Sequence, residues 1–278
     1  MIALSSFARR TVAVLAGVLC AAFLYPATTA SARAQQPFVP EVGQAGKDVV
    51  WVPTPPELVE RMLDLASLTP QDFVMDLGSG DGRNVIGAAK RGARALGVEY
   101  NPQMVELSRK NAAEARVADK ATFVEGDMYQ ADISKANVLA LFLLPSNMLQ
   151  LRQKFIDLQP GSRIVSNTFG IEGWTPDETV TIEGGCSAWC TALLWIVPAK
   201  AGGTWQLGQG ELVLSQTYQM VTGTLGGTPI ADGRLRGDQI RFTVGAAEYS
   251  GRVAGDRIDG TVRGGGPQVS WTATRAGR

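Results

Sequence analysis

Phe73-Val74-Met75-Asp76-Leu77-Gly78-Ser79-Gly80-Asp81-Gly82 is the stretch on which the reading of this chain turns. An apolar run reaches Asp76 and passes into a turn with glycine at 78, 80 and 82. Arg83-Asn84-Val85-Ile86-Gly87-Ala88-Ala89 then reads as a helix. Glycine lets a ligand approach backbone N–H groups that a Cβ would shield, and the start of a helix adds unpaired donors. The next apolar run, Ala95-Leu96-Gly97-Val98, closes on Glu99. A carboxylate about 20 residues past such a turn is placed to hold a ribose diol.

The dinucleotide fingerprint G-x-G-x-x-G is not met, because Arg83 stands where its third glycine belongs. Asp76, an anion just ahead of the turn, suits a ligand with a positive end better than a pyrophosphate. The D-x-G-x-G-x-G pattern resembles motif I of class I (seven-strand, Rossmann-like) S-adenosylmethionine-dependent methyltransferases. The resemblance implies S-adenosylmethionine as cofactor, with Asp76, Gly78, Ser79, Gly80, Asp81 and Gly82 around its amino-acid end. It also implies Glu99 and Tyr100 at the ribose, and Asp127 and Met128 at the adenine. Asp81 reads equally well as a helix N-cap. A dinucleotide enzyme and a ligand-free Rossmann turn are the competing readings of the turn itself.

Later segments follow in the order that family uses. Thr122-Phe123-Val124-Glu125-Gly126-Asp127 resembles its third strand and exit. Asn137 to Leu144 is a nearly unbroken apolar run, as expected of a strand buried on both faces. Pro145-Ser146-Asn147 follows at its carboxyl end, where open α/β sheets bind ligands. These three residues are candidates for the acceptor site, against the alternative of a strand-ending turn. Leu158-Gln159-Pro160-Gly161-Ser162 resembles the family's turn into a fifth strand. Val52-Pro53-Thr54-Pro55, Leu143-Leu144-Pro145 and Thr168-Phe169 carry a narrower likeness. They resemble small protein-lysine methyltransferases related to those acting on the mitochondrial ATP synthase c subunit. That likeness implies a protein lysine as methyl acceptor.

Composition narrows the chemistry. The 278 residues hold 26 basic and 26 acidic side chains, so zero net charge gives no reason to expect a nucleic-acid partner. The chain has no histidine, which excludes a His general base, a His-containing triad and His-ligated metal. With three cysteines, no metal site is expected.

Residues 1–34 read as a signal peptide. Arg9-Arg10 leads an apolar run from Thr11 to Tyr25, and Ala30-Ser31-Ala32 or Ala32-Arg33-Ala34 fits the cleavage site. The expected address is export to the periplasm by a general or twin-arginine route. The alternative is an uncleaved membrane anchor, which alone would bring membrane contact. Cleavage removes Cys20 and leaves Cys186 and Cys190, a pair that invites a disulfide in an exported chain.

Residues 35–50 lack periodicity and read as a flexible tail. A helix opens at Pro55-Pro56-Glu57 with Thr54 as its cap. Strand and helix signals then alternate, and 51–198 is the expected methyltransferase domain. Val180-Thr181-Ile182 and Thr191 to Val197 form its antiparallel edge. Beyond Pro198 short β runs alternate with glycine turns, so 204–278 reads as a small antiparallel β domain, a meander curled into a sandwich or open barrel. Its sparse apolar residues suggest that it leans on the first domain. The fold class is therefore α/β, a Rossmann-like doubly wound sheet with an antiparallel edge, followed by a small all-β meander or barrel-like domain.

Methyl transfer from a sulfonium is an in-line displacement, and it asks the protein mainly for alignment and exclusion of water. No single catalytic residue is expected. Trp51 and Tyr100 are candidate walls of the site, with core packing as the alternative for each. An exported enzyme lies away from cytoplasmic S-adenosylmethionine, so the competing function is an exported ligand-binding module on a non-catalytic methyltransferase fold.

Overall fold

The computed structural model describes residues 38–277 other than 184, 185, 209 and 265. The signal-peptide reading of residues 1–34 and the first residues of the expected tail lie outside the described residues. Among those described, no helix is long and apolar enough to cross a membrane.

The first half alternates helix and strand: α1 (Pro56–Leu65), β1 (Phe73–Leu77), α2 (Arg83–Lys90), β2 (Arg94–Glu99), α3 (Pro102–Glu114), β3 (Ala121–Glu125), β4 (Val138–Leu141), α4 (Pro145–Ile156), β5 (Arg163–Asn167), β6 (Glu178–Thr181) and β7 (Thr191–Ile196). The sheet runs β3-β2-β1-β4-β5-β7-β6. Its first five strands are parallel, and β7 pairs antiparallel with both β5 and β6. Both faces are covered, so alternate residues of one strand serve two cores. Val74 packs with Leu58, Met62, Val85 and Val105 from α1, α2 and α3. Met75 and Leu77 pack with Met148, Leu151 and Phe155 of α4 and with Trp174 and Trp195. This is the doubly wound sheet with an antiparallel edge that the alternation of signals implies.

Three local expectations are corrected. Pro55, not Thr54, occupies the N-cap of α1. Thr54 is buried, and its carbonyl oxygen accepts from Arg83 Nη1 at 2.6 Å. The apolar run 137–144 outlasts its strand. β4 stops at Leu141 because Pro145 opens α4 four residues later, and the connecting residues must leave the ladder. Residues 38–50 are no loose tail. Gly43 N donates to Trp51 O at 2.8 Å, Trp51 N to Gln44 O at 3.0 Å and Gly46 N to Val49 O at 2.9 Å. These bonds fold the segment into a narrow strap, with backbone pairing replacing the side-chain periodicity it lacks.

The second half is all β: β8 (Gly203–Leu207), β9 (Gly210–Thr217), β10 (Met220–Leu225), β11 (Thr228–Pro229), β12 (Ala231–Arg236), β13 (Gln239–Val244), β14 (Ala247–Ala254), β15 (Arg257–Arg263) and β16 (Val269–Arg275). Neighbours pair antiparallel from β12 to β16, β16 pairs with β8, β8 with β9, β9 with β10, and β10 with β12. The eight strands thus close into a barrel, and the two-residue β11 extends the end of β10. Closure removes exposed edges. It also gives the domain a core of its own, in addition to the contact with its neighbour that its sparse apolar residues suggested. Trp205, Leu212, Leu235, Ile240 and Ile258 are almost wholly inside. The barrel meets the sheet domain through an aromatic stack, Tyr218 on Trp174 at 5.1 Å between centroids, and through polar links. Arg234 Nη2 lies 2.7 Å from Asp177 Oδ1, and Gln219 Nε2 donates to Thr175 O at 2.7 Å.

Candidate active site

A cleft opens at the carboxyl ends of the parallel strands, roofed by the strap. It encloses about 880 Å³ of empty space, mouth included. Carboxyl ends are where the chain leaves the sheet and side chains can converge on a ligand. Asp76, Gly78, Ser79, Gly80, Asp81, Glu99, Tyr100, Asp127 and Met128 all face this one space.

The turn after β1 passes through positive φ at Gly78 (71°), Gly80 (54°) and Gly82 (85°). At Gly80 a Cβ would stand 2.8 Å from Trp51 Nε1, so the strap sits closely on the turn only because that position is glycine. Glu99 ties the turn to β2: its Oε2 accepts from Gly80 N and its Oε1 from Asn101 N, each at 2.9 Å. Gly97, paired in register with Asp76, is a requirement the sequence did not announce. A Cβ there would lie 2.5 Å from Ser79 Oγ and 2.6 Å from Phe123 Cδ1.

Gly82 does not line the cleft. It is the N-cap of α2. That position also settles Asp81, which is not the cap. Its carboxylate takes both Arg83 Nε, at 2.9 Å, and Arg83 Nη2, at 2.5 Å, while Arg83 reaches on to Thr54. The turn, the start of α2 and the approach to α1 are thereby joined.

Asp76 is a buried carboxylate whose side-chain donor is Asn84 Nδ2, at 3.1 Å. Burial pushes its carboxyl well above the ordinary aspartate range; Asn84 opposes the rise, and the charges of Glu99 and Asp81 add to it. Asp127 has the opposite surroundings. Lys47 Nζ, 2.7 Å from Oδ2, and the Tyr129 N–H hold its carboxyl below the usual range.

Pro145, Ser146 and Asn147 are not in the cleft wall. Pro145 is the first residue of α4, and Asn147 is buried with its Nδ2 donating to Tyr129 Oη at 2.6 Å. They start a helix rather than form a strand-ending turn, and Pro145 and Ser146 are exposed. The residue of this region that faces the cleft is Phe142. Lys47, Asn84, Met104 and Phe142 are lining residues that sequence reasoning missed. The one sequence signal among them is the apolar run that includes Phe142, and that run reads as a strand.

Comparison with known proteins identifies the family. Residues 76–178 match the family model of the ANTKMT methyltransferase domain. A protein-lysine N-methyltransferase of Saccharolobus islandicus is 41% identical over 140 residues, spanning 49% of this chain and 87% of that enzyme. The chain belongs to this family of S-adenosylmethionine-dependent methyltransferases. The human lysine N-methyltransferase named for the ATP synthase c subunit is 36% identical over 140 residues, 50% of this chain and 59% of that protein. The chain thus spans only about half to two-thirds of the mammalian relatives it matches. A crystal structure described as an RNA methyltransferase from Salinibacter ruber, in complex with S-adenosyl-L-homocysteine, is 46% identical. It superposes with a TM-score of 0.50, covering 54% of this chain and 95% of that one.

The cofactor of the family is S-adenosylmethionine, and the residues present fit it. Asp76 is a buried carboxyl with one side-chain donor, and a cationic amino-acid end beside it would favour its ionised form. Glu99 and Asp127 line the cleft from neighbouring strand ends, where their carboxylates would hold a diol and an amino group. Glycine at 78 and 80 leaves the floor bare of side chains.

Proposed function

We propose that this protein is a protein-lysine N-methyltransferase of exported address. The observation that carries the enzymatic part is the convergence of Asp76, Glu99 and Asp127 on one glycine-floored cleft. The 41% identity to an enzyme named for protein-lysine methylation supports the acceptor. S-Adenosylmethionine, when bound, supplies a methyl group already activated on a sulfonium. The chain's own work is to bind, orient and exclude water. Glu99 and Asp127 fix one end of the ligand and Asp76 the other, while the strap with Trp51 covers the cleft.

None of the motif acids is a free base. The chain has no histidine, and Asp76, Asp81, Glu99 and Asp127 are each engaged by donors of the protein. An acceptor lysine is therefore expected to lose its proton to water at the mouth, helped by desolvation, which favours the neutral amine. Export is supported by the Arg9-Arg10 apolar leader and by the disulfide between Cys186 and Cys190, a bond characteristic of oxidising compartments.

The purified full chain, given methyl-labelled S-adenosylmethionine with a lysine-rich peptide and with total RNA, tests the assignment. Label recovered as N-methyl-lysine is expected. Label in RNA alone overturns the acceptor; label in neither, with no cofactor binding, favours the non-catalytic ligand-binding module. The position of the mature N-terminus tests the address.

A further inference from the structure

Three aromatic rings meet beside the cleft, each from a loop at the same end of the sheet. Phe142 follows β4, Phe169 follows β5 and Trp189 precedes β7. Ring centroids lie 5.2 Å apart for Phe169 and Trp189, 5.9 Å for Phe142 and Trp189, and 6.0 Å for Phe142 and Phe169. Phe142 also lines the cleft, so the cluster continues the cofactor site rather than standing apart from it. Trp189 is 39% exposed, unlike the fully buried Trp174, Trp195 and Trp205 of the cores.

Two constraints hold that exposed indole in place. The disulfide from Cys186 to Cys190 closes the loop around it. Its backbone is left-handed, with φ of 60°, a conformation that a bulky residue keeps only where its surroundings impose it. A partly exposed ring fixed in an uncommon conformation is not explained by core packing.

We propose that Phe142, Phe169 and Trp189 form the platform for the acceptor's alkylammonium side chain, with the Cys186–Cys190 bond setting Trp189 in it. The proposal rests on the lysine-acceptor reading and names an aromatic surface for it. Aromatic faces suit both halves of a lysine: the methylene stem packs on them, and a cationic head is attracted to the ring quadrupole. The adjoining cleft wall holds Asp48, Asp81, Glu99 and Asp127 against Lys47 and Arg83, an acidic excess that favours a cation over a phosphate backbone.

Saturation-transfer NMR on the full chain with saturating S-adenosylhomocysteine tests this, using Nα-acetyl-lysine methylamide and its Nε-trimethyl form as probes. The wild type should transfer magnetisation to the side-chain methylenes. Trp189→Phe should retain the contact. Trp189→Ala, and Cys186→Ser with Cys190→Ser, should weaken probe affinity roughly 3- to 30-fold, with S-adenosylhomocysteine affinity within about two-fold by calorimetry. Where the alanine variant fails to hold S-adenosylhomocysteine, Trp189→Leu keeps apolar volume without the aromatic face and replaces it. No probe contact in the wild type, or equal contact in a variant that still binds S-adenosylhomocysteine, overturns the platform. Retained probe contact without methyl transfer to lysine would instead remove the acceptor reading and leave the platform standing.

Discussion

Lys47 Nζ lies 2.7 Å from Asp127 Oδ2 and 4.8 Å from the centre of the Tyr100 ring. A cation carried by the strap thus sits over the two residues expected at the ribose and adenine. A ligand amino group that donates to Asp127 must share the carboxylate with it. Replacing Lys47 by Met is therefore expected to tighten S-adenosylhomocysteine binding a few-fold at low salt. The gain should shrink as salt rises, since this pair is exposed to solvent and screened. Calorimetry at two ionic strengths decides it; weaker binding would show that Lys47 supports the ligand instead of competing with it.

Glu99 does two jobs through one carboxylate. It accepts from Gly80 N and Asn101 N, and it faces the cleft. Glu99→Ala should cost about 1.5–3 kcal/mol in S-adenosylmethionine binding, the range for hydrogen bonds to a charged group. Undiminished affinity in titration calorimetry would place the ribose elsewhere.

Asp76 should show the conflict between binding and stability. Its folded carboxyl is raised above the unfolded value of 3.8 by burial. A carboxyl raised in the folded state contributes most to stability below 3.8, and that contribution is lost as pH rises to the folded value. Asp76→Asn removes this loss. The variant should melt above the cofactor-free wild type at neutral pH, by about 2–4 °C for each kcal/mol regained, and the two should converge towards pH 3.8. It should also bind S-adenosylmethionine more weakly. A pH-independent difference in melting temperature would contradict the argument.

Arg234 is expected to couple the barrel to the sheet. Asp177 has a fully buried side chain whose oxygens accept from Arg234 Nη2 at 2.7 Å and from Ile196 N at 2.8 Å. Arg234→Ala strands that carboxylate and should destabilise the protein by about 1–3 kcal/mol. Adding Asp177→Asn should recover part of the loss, because the unpaired charge is gone. Urea unfolding of the two singles and the double provides the cycle, and additive losses would mean that the pair is not coupled.

The central motif was legible because its chemistry is local. A strand, three glycines with positive φ and the start of a helix occupy residues 73–83, and each step follows from backbone sterics of neighbours in sequence. Glu99 was legible for a similar reason, at a fixed distance along one βαβ unit. At Pro145-Ser146-Asn147, position after a strand says where the chain leaves the sheet but not what it forms or which way its side chains point. Proline at 145 starts a helix there, and Asn147 turns inward to Tyr129.

By itself, then, the sequence determined the glycine turn, the acids at the strand ends, the alternation that makes a doubly wound sheet, and the β character of the last third. Tertiary structure decided the rest. It brought Lys47 onto Asp127 across 80 residues of chain, because a segment without side-chain periodicity carries no signal of the surface it will cover. It gathered Phe142, Phe169 and Trp189 from three loops into one cluster. It closed the barrel by pairing β16 with β8, a contact between the two ends of the domain. These are meetings of residues remote in sequence, and no local propensity or spacing encodes which distant partners will share a surface.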